Sequence, residues 1–230
     1  MRVVVTGANR GIGLELTRQL LARSDEVEAL TRDPDRAREL HALLPSHGAS
    51  LKVLACDVAS DASVRTYART RPRVPVDLLI NNAGVYGTSV GLEKQDPAEL
   101  LQVFDVNAAG AFRMTRALFT PLRQGQGRKI AHITSSMGSI SENTSGGYYA
   151  YRMSKAALNM FSVTLAEEVR KHGLISVVLN PGWAQTDMGG PGAPVPVRDS
   201  AAGLLRIIDR LTLADSGKFF DYRDGDEIPW

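Results

Sequence analysis

The chain holds one cysteine, no long apolar run, no excess of either charge and few aromatic residues, and each shortage excludes a class of protein. Cys56 alone cannot form an internal disulfide. It closes the apolar run from Leu51, which suits a buried strand thiol better than a nucleophile. No apolar segment approaches the roughly 20 residues that cross a bilayer, so no membrane span is expected. Lys and Arg total 27 against 25 Asp and Glu, for a net charge of +2, and both signs are scattered. That leaves no basic stripe for a nucleic acid. His41, His47, His132 and His172 lie at no ligand spacing, so no metal site is expected. His132 falls in an apolar segment and reads as a packed core histidine. The first strand starts next to Met1, so no signal peptide is expected and a cytoplasmic location follows.

What is present begins at once. Arg2 to Thr6 is a β-branched run that reads as a buried strand. It leads into Gly7-Ala8-Asn9-Arg10-Gly11-Ile12-Gly13, and leucines at 14, 16, 20 and 21 then continue at helical spacing. Glycines let a backbone turn sharply and approach a ligand with no Cβ between them. The start of the helix offers unpaired N–H groups and a positive dipole end to a pyrophosphate. The spacing is G-x-x-x-G-x-G, a variant of the commoner G-x-G-x-x-G fingerprint.

The remainder alternates. Strands are expected at 27–31, 51–56, 76–80, 129–134, 174–179 and 218–220. Helices are expected at 35–44 (stopped by Pro45), 60–70, 97–118, 148–172 (stopped by Gly173) and 201–211. This pattern predicts an α/β fold: a doubly wound Rossmann unit spanning 1–230, with about seven parallel strands and helices on both faces. At 230 residues the chain can bury a core of that size as one domain. A Pro- and Gly-rich stretch at about 183–198 follows a strand and is the expected substrate loop.

Tyr151-Arg152-Met153-Ser154-Lys155 carries chemistry. A tyrosine and a lysine four apart share one face of a helix. A neighbouring ammonium favours phenolate and makes the phenol a usable proton donor. Of Tyr148, Tyr149 and Tyr151, only the last has a lysine at that spacing.

The motifs occur in one order: Thr6-Gly7 with Gly11-Ile12-Gly13, Asp57-Val58, Asn81-Asn82-Ala83-Gly84, Val106-Asn107, Ser135-Ser136, Tyr151 with Lys155, and Pro181-Gly182. In this order the chain resembles the short-chain dehydrogenase/reductases over nearly its whole length. The stretches 147–155 and 180–190 are similar to the branch holding sniffer-type carbonyl reductases and C-factor-like proteins. The resemblance implies an NAD(P)-dependent oxidoreductase that moves hydride between nicotinamide and a carbonyl or alcohol. It implies Tyr151 as general acid/base and Lys155 as partner of that tyrosine and of the nicotinamide ribose. It implies Ser136, the second of its pair, as the serine that polarises substrate, and Asn107 as the residue that bends its helix and holds a water for Lys155. Gly7, Asn9, Arg10, Gly11, Ile12 and Gly13 would hold pyrophosphate. Asp57 and Val58 would meet adenine, and Asn82, Ala83 and Gly84 would line the ribose path. Pro181, Gly182 and Thr186 would border the nicotinamide. At the end of the second strand stands Thr31-Arg32 where NAD-preferring relatives carry an acid. With Arg10, Arg32 points to NADP(H) over NAD(H), because guanidinium grips a 2′-phosphate that a carboxylate repels. Asp33 is expected to cap the next helix.

The Ser-to-Tyr interval is longer than in many members, and a loop at 142–147 is expected to absorb the excess. Small-molecule carbonyl or alcohol substrates are expected, in an open cleft bounded by Trp183 and the loop at 141–146. A homodimer is expected through Leu101, Phe104, Phe112 and Leu118 on one helix and Leu158, Phe161 and Leu165 on another. The alternative is a C-factor-like signalling or nucleotide-binding protein with little turnover.

Overall fold

The structure is a computed structural model describing residues 1–230. Seven strands, β1 (Arg2–Thr6), β2 (Glu26–Thr31), β3 (Leu51–Ala55), β4 (Leu78–Asn81), β5 (Lys129–Ile133), β6 (Ile175–Asn180) and β7 (Phe219–Asp221), form one sheet in the order β3-β2-β1-β4-β5-β6-β7. Every neighbouring pair is parallel. Burial on both faces explains the run of apolar and small residues in β6, where all six positions are buried.

Helices α1 (Gly11–Ala22) and α8 (Val197–Arg210) pack one face. Leu16, Leu20, Leu204 and Ile208 meet Val3, Val5 and Ile80 there. Helices α4 (Asp61–Thr70), α6 (Gly110–Gln124) and α7 (Tyr149–Val169) pack the other. Val64, Met114, Leu118 and Leu165 meet Val4, Leu79 and Ile130. Val3, Val4 and Val5 thus alternate between two cores, as the strand pleat requires.

Four local expectations change. The segment after β2 is a 3₁₀ turn, Pro34–Arg36, then two short helices, α2 (Arg38–His41) and α3 (Leu44–His47). Pro45 lies in the first turn of α3, where its missing N–H costs nothing, and starts a helix it was expected to stop. The long helix is α5 (Pro97–Phe104), a π-helical turn over Asp105–Ala109, then α6. The last helix starts at Val197, straight after Pro196. The proline- and glycine-rich loop is also tied to itself. Gln185 N–H donates to Val195 O at 2.8 Å, Gly190 N–H to Thr186 O at 2.9 Å, and Trp183 Nε1 to Gly189 O at 2.7 Å. Glycine allows this close turning as readily as it allows looseness, so the expected substrate loop is a hydrogen-bonded one.

Candidate active site

The strand order reverses between β1 and β4, and a cleft of about 1020 Å³ opens there at the carboxyl ends of the strands. Its floor is built by Thr6 and Asn82. Thr6 Oγ1 accepts from Asn82 N–H and Ala83 N–H, both at 3.0 Å. Asn82 Nδ2 donates to Thr6 O at 2.9 Å and to Gly7 O at 3.1 Å. Gly7 has φ +63°, and a Cβ there would stand 2.8 Å from Ala83 Cα, so no side chain fits. Gly13 lies behind this floor, pressed on Gly7 O and Asn82 Nδ2. Gly11, φ +53°, faces Thr186 closely enough that a Cβ would touch its methyl at 3.2 Å. The turn therefore offers bare backbone and the first N–H groups of α1 to the cleft, which suits a pyrophosphate.

One end of the cleft is cationic. Arg10, Arg32 and Arg36 line it with the acid Asp33. Asp33 makes no capping hydrogen bond to the 3₁₀ turn; its carboxylate lies 3.9 Å from Arg36 Nε. Arg10 Nη1 lies 3.4 Å from Asp187 Oδ2 across the mouth, an exposed pair worth little in water. Asp57 and Val58 line the wall beside them. Asp57 Oδ1 accepts from Ala59 N–H at 3.0 Å. Cys56 also reaches the wall, but burial pushes its thiol up to about 12, so it stays protonated and unreactive.

Tyr151 and Lys155 line the other end, both buried. Lys155 Nζ donates to Ile133 O at 2.8 Å and sits 5.6 Å from the centroid of the Tyr151 ring. Burial without a carboxylate partner lowers the Lys155 pKa to about 8. Burial raises the Tyr151 pKa, a hydrogen bond with Ser135 opposes the rise, and the Tyr86 ring beside it adds to it. The expected depression by Lys155 is therefore not the governing influence on the phenol. Ser135 bears on the Tyr151 phenol, and its Oγ accepts from Met137 N–H at 3.2 Å; Ser136 lines the same cleft, and its backbone N–H donates to Asn180 Oδ1 at 3.2 Å.

Asn107 does not line the cleft. It is buried in the π-helical turn, where its Oδ1 accepts from Val85 N–H at 2.8 Å. Its Nδ2 donates to Val85 O and to Ser154 Oγ, both at 2.9 Å. A wider turn of this kind lets an interior polar side chain leave the helix ladder and is frequent at functional sites. Asn107 thereby clamps the segment after Gly84 against α7, one residue from Lys155.

The sequence profile of the short chain dehydrogenases matches residues 1–193. The chain belongs to the short-chain dehydrogenase family. Among its relatives in this family, C-signal of Myxococcus xanthus is 51% identical over 167 residues, covering 73% of this chain and all of that one. The 1-hydroxy-2-glutathionyl-2-methyl-3-butene dehydrogenase of Rhodococcus sp. (strain AD45) is 32% identical, covering 99% of both chains. The structure superposes on the NADPH-bound carbonyl reductase from chicken fatty liver with TM-score 0.93 at 33% identity, covering 100% of this chain and 98% of that one. It superposes on carbonyl reductase Sniffer of D. melanogaster with TM-score 0.94 at 30% identity, covering 100% and 99%.

Gly7, Asn9, Arg10, Gly11, Ile12, Arg32, Asp57, Val58, Asn82, Ala83, Gly84, Pro181, Gly182 and Thr186 line this cleft, with Tyr151, Lys155 and Ser136. Gly13 and Asn107 support it from behind. Trp183 borders it as expected and is exposed. The loop at 141–146 does not border it. That loop is fastened elsewhere: Ser141 N–H donates to Trp230 O at 2.9 Å and Ser139 Oγ to Pro229 O at 2.6 Å. Sequence reasoning missed Ser135, Arg36, Tyr86 and Tyr148. A second arginine four residues after Arg32 was the only local signal for Arg36. Tyr86 and Tyr148 carried none.

Proposed function

We propose that the protein is an NADP(H)-dependent carbonyl reductase, with Tyr151 as the proton donor. The observation that carries this reading is one cleft with Tyr151, Ser135 and Lys155 at one end and three arginines at the other. The bare glycine turn between them suits a dinucleotide, and Arg10, Arg32 and Arg36 suit its 2′-phosphate. Bound there, the nicotinamide supplies hydride.

The chain's own residues do the rest. Tyr151 holds its proton at neutral pH because burial disfavours phenolate, and it gives that proton to the substrate oxygen as negative charge develops. Ser135 orients the Tyr151 hydroxyl and polarises the same oxygen. Lys155, charged below about pH 8, stabilises the phenolate left behind and donates to ribose hydroxyls. Asn107 keeps the wall beside Lys155 in place. The loop before α8 borders the open substrate cleft through Trp183, Ala184 and Thr186 to Gly189, and residues 1–230 act as one unit. Neutral carbonyls screened by loss of NADPH absorbance test the reading, with no turnover of any aldehyde, ketone or quinone as the refuting result. Arg32→Ala is expected to weaken NADPH by about 1.5–3 kcal/mol and leave NADH nearly unchanged.

Two further parts belong to the same proposal. Leu118, Leu158 and Leu165 are buried in the chain's own core, so they are not available for a dimer. Leu101, Phe104, Phe112, Met153 and Met160 remain exposed on α5, α6 and α7, and a two-fold contact between copies would cover them. A 25 kDa species in light scattering would overturn the homodimer. No helix is long and apolar enough to cross a membrane, and a cytoplasmic location is the matching placement, tested by fractionation.

A second reading is favoured by the likeness to C-signal: a signalling or nucleotide-binding role with little turnover. It predicts tight NADPH binding with no carbonyl consumed. A buried tyrosine with a serine and a lysine beside it at the end of an open cleft has no purpose in such a protein, so the reductase reading is preferred.

A further inference from the structure

Two walls of the cleft are joined by one side-chain oxygen. Asn180 is the last residue of β6, is buried and lines the cleft. Its Oδ1 accepts from Ser136 N–H at 3.2 Å and from Gly182 N–H at 3.3 Å. The Ser136 N–H belongs to the peptide that joins Ser135 to Ser136, so this bond holds both serines that line the cleft. Gly182, φ +69°, opens the loop on the other wall, where the nicotinamide half of the cofactor is proposed to lie.

Each wall is also backed on its far side. Gly138 ends the 3₁₀ turn that starts at Ser136 and presses on α7, where a Cβ would stand 2.9 Å from Lys155 Cβ. Gly182 presses on a tyrosine ring, where a Cβ would stand 2.5 Å from Tyr222 Cε1. Neither wall can move onto its backing without a clash, and the two cannot part without losing a bond to Asn180.

The amide has only one way to face. Asn180 Nδ2 donates to Asp221 Oδ2 at 2.8 Å. Asp221 is the last residue of β7, and its Oδ1 accepts from Arg223 N–H at 3.1 Å and from Arg223 Nε at 2.9 Å. Burial raises the Asp221 pKa, but hydrogen bonds from Arg223 and Asn180 more than offset it, so the group is a carboxylate at neutral pH. A carboxylate only accepts and a backbone N–H only donates, so turning the amide over would lose all three bonds of Asn180.

We infer that Asn180, oriented by Asp221, is a positioning residue that fixes the distance between the serine-bearing turn and the loop on the nicotinamide side. Hydride transfer needs its two carbons near contact, and a misplacement of about 1 Å costs on the order of 10²-fold in rate, so a brace across this gap acts on transfer more than on binding. The glycine turn and the arginines that suit the rest of the dinucleotide lie elsewhere in the cleft and keep their geometry without it. The effect on transfer rests on the reductase reading; the brace itself does not. The competing role for Asn180 is plain cohesion between β6 and β7.

The test follows single-turnover reduction of 4-nitrobenzaldehyde by the NADPH-loaded protein, together with NADPH affinity. Asn180→Ala is expected to slow transfer about tenfold or more while NADPH affinity stays within about threefold. Asn180→Asp sets one carboxylate against another and should slow transfer to a similar degree. Adding Asp221→Asn to Asn180→Asp restores an amide facing a carboxylate with the roles exchanged, and should bring transfer back to within about threefold of the wild type. These two changes are nearly isosteric and carry the test if Asn180→Ala does not fold. Unchanged transfer in Asn180→Ala, a double variant as slow as Asn180→Asp, or a rate loss matched by an equal loss of NADPH affinity overturns the assignment. If the wild type reduces neither this aldehyde nor any other carbonyl, the reductase reading fails and the brace is judged by amide hydrogen exchange. Exchange faster by about tenfold or more at both Ser136 and Gly182 in Asn180→Ala, or in Asn180→Asp with reversal by Asp221→Asn, sustains the brace; exchange unchanged at either amide overturns it.

Discussion

The two layers beside the sheet are built on different terms. Between the sheet and α1 with α8 lie 26 buried apolar residues, and almost nothing there is polar beyond local bonds such as Thr17 Oγ1 to Gly13 O at 2.8 Å. Between the sheet and α4, α6 and α7 the apolar set falls to 15, and a buried polar chain runs through it. Asn81 Nδ2 lies 3.2 Å from Thr115 Oγ1 and 3.1 Å from His132 Nδ1. His132 Nε2 lies 3.4 Å from Ser176 Oγ, which lies 2.9 Å from Ser162 Oγ. Thr134 Oγ1 donates to Asn159 Oδ1 at 2.7 Å, and Asn159 Nδ2 to Gly138 O at 3.2 Å. Helix α7 changes character along its length to match. Tyr151, Ser154, Lys155, Asn159 and Ser162 are buried in its earlier part, Leu165, Ala166 and Val169 in its last turns. The first layer contributes cohesion. The second gives up some of it to hold directional groups where a charge and a proton donor are needed.

The contrast can be broken most sharply at Tyr151. Tyr151→Phe keeps the ring packed on Tyr86 and removes only the hydroxyl, so turnover should fall about 10²–10⁴-fold while NADPH affinity stays within a few fold. Single-turnover kinetics and a cofactor titration measure the two separately, and an active Tyr151→Phe would move the chemistry elsewhere. In the apolar layer the opposite split is expected. Leu204→Ala should cost about 2–5 kcal/mol in urea unfolding, with kcat and KM of the folded enzyme nearly unchanged.

Lys155 sharpens the comparison, because there function and stability pull apart. Its pKa is lowered from 10.5 to about 8, so below pH 8 the charge is present in both folded and unfolded chains and the cost of burying it is full. Between pH 8 and 10.5 the folded chain binds fewer protons and stability rises with pH. Lys155→Met should therefore stabilise the fold by up to about 3 kcal/mol at pH 7 while removing activity. In the wild type, turnover should decline as pH rises through about 8. A destabilised Lys155→Met would show that the Ile133 bond outweighs desolvation.

His132 gives a smaller effect of the same origin. Burial, then the Lys155 charge, lowers its pKa from 6.5 to about 3, so it is neutral in the fold where the unfolded chain is protonated. Stability from this residue is complete above pH 6.5 and drains away as pH falls towards 3. At pH 5 the loss should be about 2 kcal/mol relative to pH 7. Unfolding at both pH values should show a flatter dependence in His132→Asn, which keeps a polar group facing Asn81.

The features legible in the sequence are local ones. The glycine turn, the strand and helix alternation and the Tyr151–Lys155 spacing follow from backbone sterics and from two periods, 2 and 3.6, which neighbouring residues express without help from the rest of the chain. The choice between Ser135 and Ser136 was not legible. Ser135 ends the extended segment after β5 and Ser136 opens a 3₁₀ turn, and both line the cleft, so spacing along the sequence does not say which hydroxyl meets Tyr151. Pro45 failed for a related reason: the same ring ends one helix or begins another, depending on where the chain must turn back to β3.

By itself, then, the sequence determined the order of elements, the bare turn for a pyrophosphate, the cations that follow β2 and the pairing of a tyrosine with a lysine on one helix face. Tertiary structure alone decided what these groups meet. It brought Tyr86 from beyond β4 onto Tyr148 and Tyr151, set Ser135 at the phenol and turned Asn107 away from the cleft. The reason is physical: hydrogen bonds, ion pairs and desolvation depend on distances between segments 50 or more residues apart, such as Tyr86 and Tyr151, and only packing on the sheet sets those distances.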